Sequence, residues 1–539
     1  MLWKKETKNY DSMYVDIFAL NGGEASLEKA IRNLQCHEKE SVLAKNDTQS
    51  FQKRQAGNEY FSQGKWVHAI TLYNESLLFA ENSSKNISLA YANRSACFLK
   101  LKKYNECLVD IELAKEARYP SELMPKLDRR KEDCLKQMKN DVPSKLETKM
   151  TFEPHKHFPW MANVLKIDRD ADGGLAIFAT EDIDVGENIM AEKSFMCFLY
   201  RHYGSKCNIC LKSLVNLMPC EKCTIVMFCS ECKDNPLHPY ECGLKSCIRS
   251  QTNGQIMRLV RSCLLGIDHF SSADELMNFA EQSIKGDLHE IPTTSLDAKW
   301  KYEAFLKLPI DNNNGVNDDV AVIVFKVYKM LLNITKIGSM FQSVKRRRFL
   351  MHLILQHYHI LELNSAIGTY LPKMDHTENN CYCTQTELYS QYFRHSCAPN
   401  VLKVYVHDMF MITTIRPIKK GAKLLKSIYI EDFLSAPKAT RQKNLWQGRK
   451  IFCTCERCIS NKMATSAQRR RMTLDPDYLY IVDYDESIRI DKFMPTAIDK
   501  CKSFLQKYGE IRFCKELGVI VEVYQLFMNT LSTNQHLLH

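Results

Sequence analysis

Apolar positions recur at helical spacing over the first quarter and the middle of the chain, and alternate at strand spacing over short stretches on either side of that middle. Residues 1–50 give one helix, Leu27 to Leu43. Residues 51–140 hold an internal repeat: Gly57, Asn58, Phe61, Gly64, Trp66, Ala69 and Tyr73 are echoed by Asn93, Ser95, Ala96, Tyr104, Cys107, Ile111 and Ala114. Trp66 to Tyr104 and Ala69 to Cys107 share one offset. Small residues let paired helices approach and aromatics fill the seam between hairpins, so this pattern predicts stacked helix pairs. A third, weaker unit runs from Pro120 through Met138. Residues 141–160, with Pro143, Pro154 and Pro159, read as a linker.

Past the linker, Gly173-Gly174 turns the chain into an apolar strand, Leu175 to Thr180, followed by a second turn over Asp182 to Glu187. Residues 243–365 read as helical, with clear periods in Ile256–Leu265 and Val320–Leu332 and a loop at Asn312 to Gly315. Val401–Val406 and Met409–Ile415 read as two strands, and residues 461–539 as a short helical tail. The fold class these elements imply is multidomain α+β.

The cysteines change this picture most. There are 22 in 539 residues. Met1-Leu2-Trp3-Lys4-Lys5 is followed by polar residues rather than an apolar signal core, and no apolar run reaches the ~18 residues of a membrane span, so a reducing compartment and metal-bound thiolates are expected. Cys207, Cys210, Cys220, Cys223, Cys229, Cys232, His238 and Cys242 make three Cys-x-x-Cys pairs and a His-x-x-x-Cys. Eight such ligands make two tetrahedral zinc sites, and the short gaps suit a cross-braced arrangement. In it, Cys207, Cys210, Cys229 and Cys232 form one set, and Cys220, Cys223, His238 and Cys242 the other. Cys453, Cys455 and Cys458 supply three ligands and need a fourth, while Cys381 and Cys383 read as free thiols in a polar loop. The net charge of +11 is spread along the chain. Lys345 to Arg348 and Arg469 to Arg471 read as solvated helix faces, and no specific nucleic-acid partner is implied.

The segment 207–242 resembles a MYND zinc finger, with Phe228-Cys229-Ser230 at the family's aromatic-Cys-Ser; only Ser230 and Glu231, one residue fewer than usual, separate Cys229 from Cys232. Gly173 to Ala179 with Gly186-Glu187, Arg394-His395-Ser396-Cys397-Ala398-Pro399-Asn400, and Tyr429 resemble the motifs of a SET domain. The helix pairs resemble tetratricopeptide repeats. Together, over about residues 50 to 460, the chain is similar to the SET–MYND protein-lysine methyltransferases with N-terminal tetratricopeptide repeats. That resemblance implies a SET domain split into residues 161–206 and 366–435, with the zinc finger (207–242) and a helical insert (243–365) between them, and a post-SET zinc site at 436–460.

The same resemblance implies S-adenosylmethionine as cofactor, a protein lysine as substrate, three zinc ions, and placement in cytoplasm and nucleus. It puts Gly173, Gly174, Leu175, Asn364, Arg394, His395 and Tyr429 against the cofactor, Tyr429 beside the transferred methyl, and Cys397 as the fourth ligand of the post-SET zinc. His395 is expected to act through its backbone. Likeness to carboxylate-clamp repeats assigns Arg54, Asn58, Asn93, Lys126 and Arg130 to an acidic peptide terminus such as a chaperone tail, and the finger implies peptide partners of its own. Several residues depart from the family. Arg394 replaces an Asn, Ala176 replaces a turn glycine, Gly421-Ala422-Lys423-Leu424 lacks a Glu-Glu pair, one extra residue precedes Tyr429, and Ile451 replaces an aromatic. A guanidinium only donates and is always charged, so a catalytically weak or inactive SET-derived scaffold, working through its protein-binding modules, is the alternative reading.

Overall fold

The computed structural model describes residues 44–139, 149–200, 204–242, 251–285, 297–310, 318–369, 382–429, 433–449, 451–460, 464–483 and 490–532. The helix expected at Leu27 to Leu43, the loop at Asn312 to Gly315 and Cys381 lie outside them.

The described residues begin with five helices: α1 (Asp47–Ser62), α2 (Trp66–Phe79), α3 (Lys85–Lys100), α4 (Tyr104–Glu116) and α5 (Met124–Met138). The repeated positions form their seams. A Cβ at Gly57 would lie 2.6 Å from the Tyr73 ring, so only glycine admits the ring between α1 and α2. Ala69 and Cys107, equivalent in the repeat, are both fully buried.

Antiparallel β1 (Leu165–Arg169) and β2 (Leu175–Ala179) form a hairpin whose loop needs Gly173 at φ +78°. After it come β3 (Asn188–Lys193), β4 (Met196–Leu199), the short pair β5 (Met218–Pro219) and β6 (Met227–Phe228), and α6 (His238–Glu241). The helical stretch follows: α7 (Gln251–Ile267), α8 (Ala273–Lys285), α9 (Ala298–Leu306), α10 (Asp318–Leu332), α11 (Thr335–Met340) and α12 (Val344–Asn364). Then come β7 (Ser365–Thr369), β8 (Tyr382–Thr386), β9 (Arg394–His395), β10 (Val401–Val406), β11 (Met409–Thr414) and β12 (Leu425–Lys426). The last helices are α13 (Lys438–Arg449), α14 (Glu456–Ile459), α15 (Ser466–Thr473), α16 (Pro476–Val482), α17 (Ile490–Tyr508) and α18 (Lys515–Ser532).

Sequence-distant strands pair. One sheet runs β10-β11-β3, another β4-β8-β7, and β9 lies parallel to β12. Cys383 is therefore a buried residue of a central strand, not a loop thiol as expected: its neighbours β4 and β7 cover both edges of β8. The tail is helical and packs into the body of the protein. Met494, Phe504, Leu517, Val521 and Tyr524 close a second core with Cys397, Leu402, Val404 and Ile415. Residues 151–160 lie along β3, where the Thr151 N–H donates to Asn188 O, and Trp160 stacks on Tyr389 at 4.4 Å.

In the helical insert, His357 is fully buried; its Nδ1 lies 3.1 Å from Ser262 Oγ and its Nε2 2.9 Å from the Tyr302 hydroxyl. Burial pulls its pKa down to about 3. Between about 3 and the ordinary imidazole value the unfolded chain binds a proton that the folded chain refuses, so stability falls as pH falls through that window, by ~1.4 kcal/mol per unit at most. We predict that His357→Gln is less stable than the parent at pH 7 and that the gap closes by pH 4.5, read from urea midpoints; a constant gap would refute the coupling.

Candidate active site and metal centres

Three groups of ligand atoms gather in space. They are Cys207, Cys210, Cys229 and Cys232; Cys220, Cys223, His238 and Cys242; and Cys397, Cys453, Cys455 and Cys458, each with its atoms within 4.8 Å of one another. Local structure explains the convergence. The antiparallel β5–β6 pair sets Cys220 and Cys229 at its opposite ends, one in each of the first two groups, and α6 presents His238 and Cys242 one turn apart. Cys397 lies just after β9 and is met by Cys458 Sγ, on α14, at 3.6 Å and by Cys453 Sγ, from the segment leading into α14, at 3.8 Å. Thiol donation from Cys210 and Cys229 pulls the Cys207 thiol down, and Cys223 does the same to Cys220, while the same contacts push Cys210 and Cys223 up. Each could hold one metal ion.

Two buried arginines fix the cysteine segment. The Arg94 guanidinium pairs with Asp110 at 2.6 Å, with both side chains fully buried, and donates to Leu217 O at 2.7 Å. Asp110 also accepts from Asn216 Nδ2 at 2.7 Å. On the far side, Arg261 makes a bidentate pair with Glu241 and donates to Asn208 O at 2.9 Å.

The residues expected around a cofactor come from separate segments and meet through a chain of contacts. Arg394 lies on Gly174, where an added Cβ would fall 1.8 Å from Nη2. Its Nε lies 3.3 Å from Asp170 Oδ2, an ion pair without hydrogen-bond geometry. Burial would raise the Asp170 carboxyl, but Lys423, Arg394 and the Gly174 N–H outweigh it and hold the carboxyl below its usual range. Leu175 opens β2 directly after this turn. β9 carries Arg394 and His395 beside β12, and three residues after β12 comes Tyr429. His395 Nδ1 accepts from the Ile428 N–H at 3.2 Å, and its ring is pushed down to about 4 by burial, so it is a neutral structural brace here. The Tyr429 hydroxyl abuts Gly448 on α13, where an added Cβ would lie 2.0 Å away. The next residue, Arg449, donates to Leu363 O, one position before Asn364. Asn364 has both amide hydrogens on backbone, donating to Pro309 O at 2.7 Å and Ile360 O at 2.8 Å, so only its carbonyl oxygen remains for a ligand.

Buried charge underlies this region. Glu192 accepts from the N–H groups of Leu388 and Tyr389, and burial raises it to about 8. Lys426 donates to Ser390 O at 2.6 Å, and burial lowers it to about 7. Glu387 accepts from Lys403 Nζ and the Tyr405 hydroxyl, each at 2.7 Å. These groups brace β9 and β12 against the sheet. Sequence reasoning missed them; buried ion pairs leave no local pattern. Asp170 had a signal, an Asp heading Asp-Ala-Asp-Gly-Gly, which is turn chemistry.

Among the helix-pair residues, Asn58 Oδ1 accepts from Asn93 Nδ2 at 2.8 Å and from the Tyr73 hydroxyl at 2.9 Å. Arg54 and Arg130 both act on Tyr73, whose hydroxyl burial raises well above its usual range and the two arginines pull back. Arg130 also donates to Ala92 O and Ser95 Oγ, and Lys126 is exposed one turn earlier on α5. Arg54, Asn58 and Arg130 thus act on one tyrosine, and Asn93 is joined to them through Asn58.

With this geometry in place, comparison supplies the class. Residues 174–427, a little under half of the chain, match the SET domain family model. Among the proteins this chain is similar to are three named protein-lysine N-methyltransferase SMYD4. The zebrafish (Danio rerio) protein is 27% identical over 38% of this chain and 30% of its own length, and the chicken (Gallus gallus) protein 25% over 49% and 46%. The orangutan (Pongo abelii) protein is 22% identical over 77% of this chain and 68% of its own. The chain thus spans less than half the length of the first two.

Proposed function

We propose that the chain is a protein-lysine N-methyltransferase that uses S-adenosylmethionine. The observation that supports this reading is the SET match together with the contact of Arg394 on the Gly174 turn, two residues far apart in the chain. The donors present suit the carboxylate of an amino-acid moiety, since the Arg394 guanidinium lies on the Gly174 turn with 42% of its side chain exposed. The bound cofactor supplies an electrophilic methyl. The protein's part is alignment: the Gly173-Gly174 turn lets backbone approach closely, the β9–β12 pair holds Arg394 and Tyr429 in register, and the Tyr429 hydroxyl orients the lysine amine. We expect S-adenosylmethionine to raise the melting temperature, and Tyr429→Phe to cut kcat by one to three orders of magnitude with little loss of cofactor affinity. No thermal shift with any concentration of cofactor would favour the scaffold reading, in which the chain works by binding other proteins.

The cysteine groups read as a MYND finger and a post-SET site holding three zinc ions. With Zn–S bonds of about 2.3 Å, a tetrahedron has edges of about 3.8 Å. The measured contacts of 3.6 Å for Cys210–Cys229 and 3.8 Å for Cys220–Cys242 and Cys397–Cys453 fit that figure. Elemental analysis should return about three zinc ions per chain, and Cys397→Ser about two; an unchanged count would remove Cys397 from the ligand set.

The helix pairs read as tetratricopeptide repeats that capture an acidic C-terminal peptide, such as a chaperone tail, in cytoplasm and nucleus. The action of Arg54, Arg130 and Asn58 on Tyr73, with Asn93 joined through Asn58, supports this. Amidating the terminal carboxylate of such a peptide should weaken binding at least tenfold, since charge-assisted bonds are lost; equal affinity of acid and amide in fluorescence anisotropy would end the clamp reading.

A further inference from the structure

The turn before Gly174 contains a carboxylate that none of the motifs names. The Asp170 side chain is 2% exposed and divides its oxygens between two tasks. Oδ1 accepts from the backbone N–H groups of Asp172 and Gly174, each at 3.1 Å, and so shapes the turn. Oδ2 faces two cations, Arg394 Nε at 3.3 Å and Lys423 Nζ at 3.2 Å. Lys423 comes from the segment that leads into β12, and its own carbonyl accepts from Asn400 Nδ2 at 2.9 Å, so its backbone is tied down. Arg394 has no such tether for its guanidinium, which lies across Gly174 with 42% of the side chain exposed. Asp170 is its anchor.

We propose that Asp170 is a positioning residue that parks the Arg394 guanidinium on Gly174, and that the Asp170–Arg394–Lys423 triad makes this site hold S-adenosylhomocysteine more tightly than S-adenosylmethionine. The proposal rests on the methyltransferase reading. One carboxylate against two cations leaves the triad with a net charge of +1. The cofactor carries sulfonium, ammonium and carboxylate, also +1 in sum; the product has lost the sulfonium charge and is neutral. Carboxylate and ammonium are common to both, so their contacts cancel in the comparison and the sulfur charge remains. One unit of like charge more or less in a partly screened site changes affinity by about 5- to 30-fold. The triad would thus favour retention of product, and the chain would turn over slowly unless the product is removed.

The substitutions separate charge from shape. Asp170→Asn keeps an Oδ1 acceptor for the N–H groups of Asp172 and Gly174 and removes only the charge, leaving two uncompensated cations. The full-length zinc-loaded chain would be titrated by calorimetry with each ligand at two salt concentrations. We expect the ratio of the two dissociation constants, cofactor over product, to exceed one in the parent. It should widen at least about fivefold in Asp170→Asn and narrow in Arg394→Asn and in Lys423→Gln, with every ratio drifting toward one at high salt. A purely structural role for Asp170 would weaken both ligands alike and leave the ratio fixed. An unchanged ratio in Asp170→Asn at parental melting temperature overturns the proposal, and so does an unchanged ratio in both Arg394→Asn and Lys423→Gln should Asp170→Asn fail to fold. If neither ligand binds the parent or any variant, the methyltransferase reading falls and takes this proposal with it.

Discussion

Arg94 and Asp110 are both fully buried, and neither tolerates being alone there. Removing one partner of such a pair strands an uncompensated charge at a cost of about 3–5 kcal/mol. The pair does more than satisfy itself, because its remaining donors and acceptors reach Leu217 and Asn216 in the cysteine segment. The helix pairs and the first four-cysteine group therefore share one core, which includes Leu77, Phe98, Ile111, Cys207, Leu217 and Cys229. Arg261 repeats the device on the other side, tying the same segment to the helical insert through Glu241. Held at both flanks, the segment can bring its thiols together without a large core of its own.

The C-terminal helices solve a parallel problem around the third cysteine group. α18 lies along β10, with Gln525 Nε2 donating to Lys403 O, and Arg416 donates to backbone past the end of α17. The segment after the proposed active site is thus fixed by apolar packing as well as by sulfur. Tyr429 gains its position from this arrangement, since Phe433 beside it belongs to the same buried cluster.

What the sequence made legible was whatever has a short period or a fixed spacing. The cysteine pairs specified their grouping, and the alternation over Val401–Val406 and Met409–Ile415 marked two strands, which pair with each other and with β3. The small-residue repeat located the helix seams because Gly57 and Ala69 can have no other use there. Illegible were contacts between residues far apart in the chain. Nothing local marks Arg94 as the partner of Leu217, or the tail as half of a core. Cys383 was misread because polar neighbours suggest solvent, whereas β8 is central to its sheet and hides Thr384, Gln385 and Thr386 as well. Arg394 was recognisable as an oddity, but its compensation by Asp170 required coordinates.

The order of the first eight ligands along the chain has a kinetic consequence. The two groups alternate in pairs, so the span from Cys210 to Cys229 contains Cys220 and Cys223 inside it. Closing the first group draws the second half-set into a small loop whose far end, His238 and Cys242, is leashed a few residues beyond Cys232. Most of the entropy of closing the second loop has then already been lost. Occupation of either group makes the other easier to fill, and release of one loosens both, so a nascent chain passes quickly through the half-closed forms in which its thiols are open to oxidation.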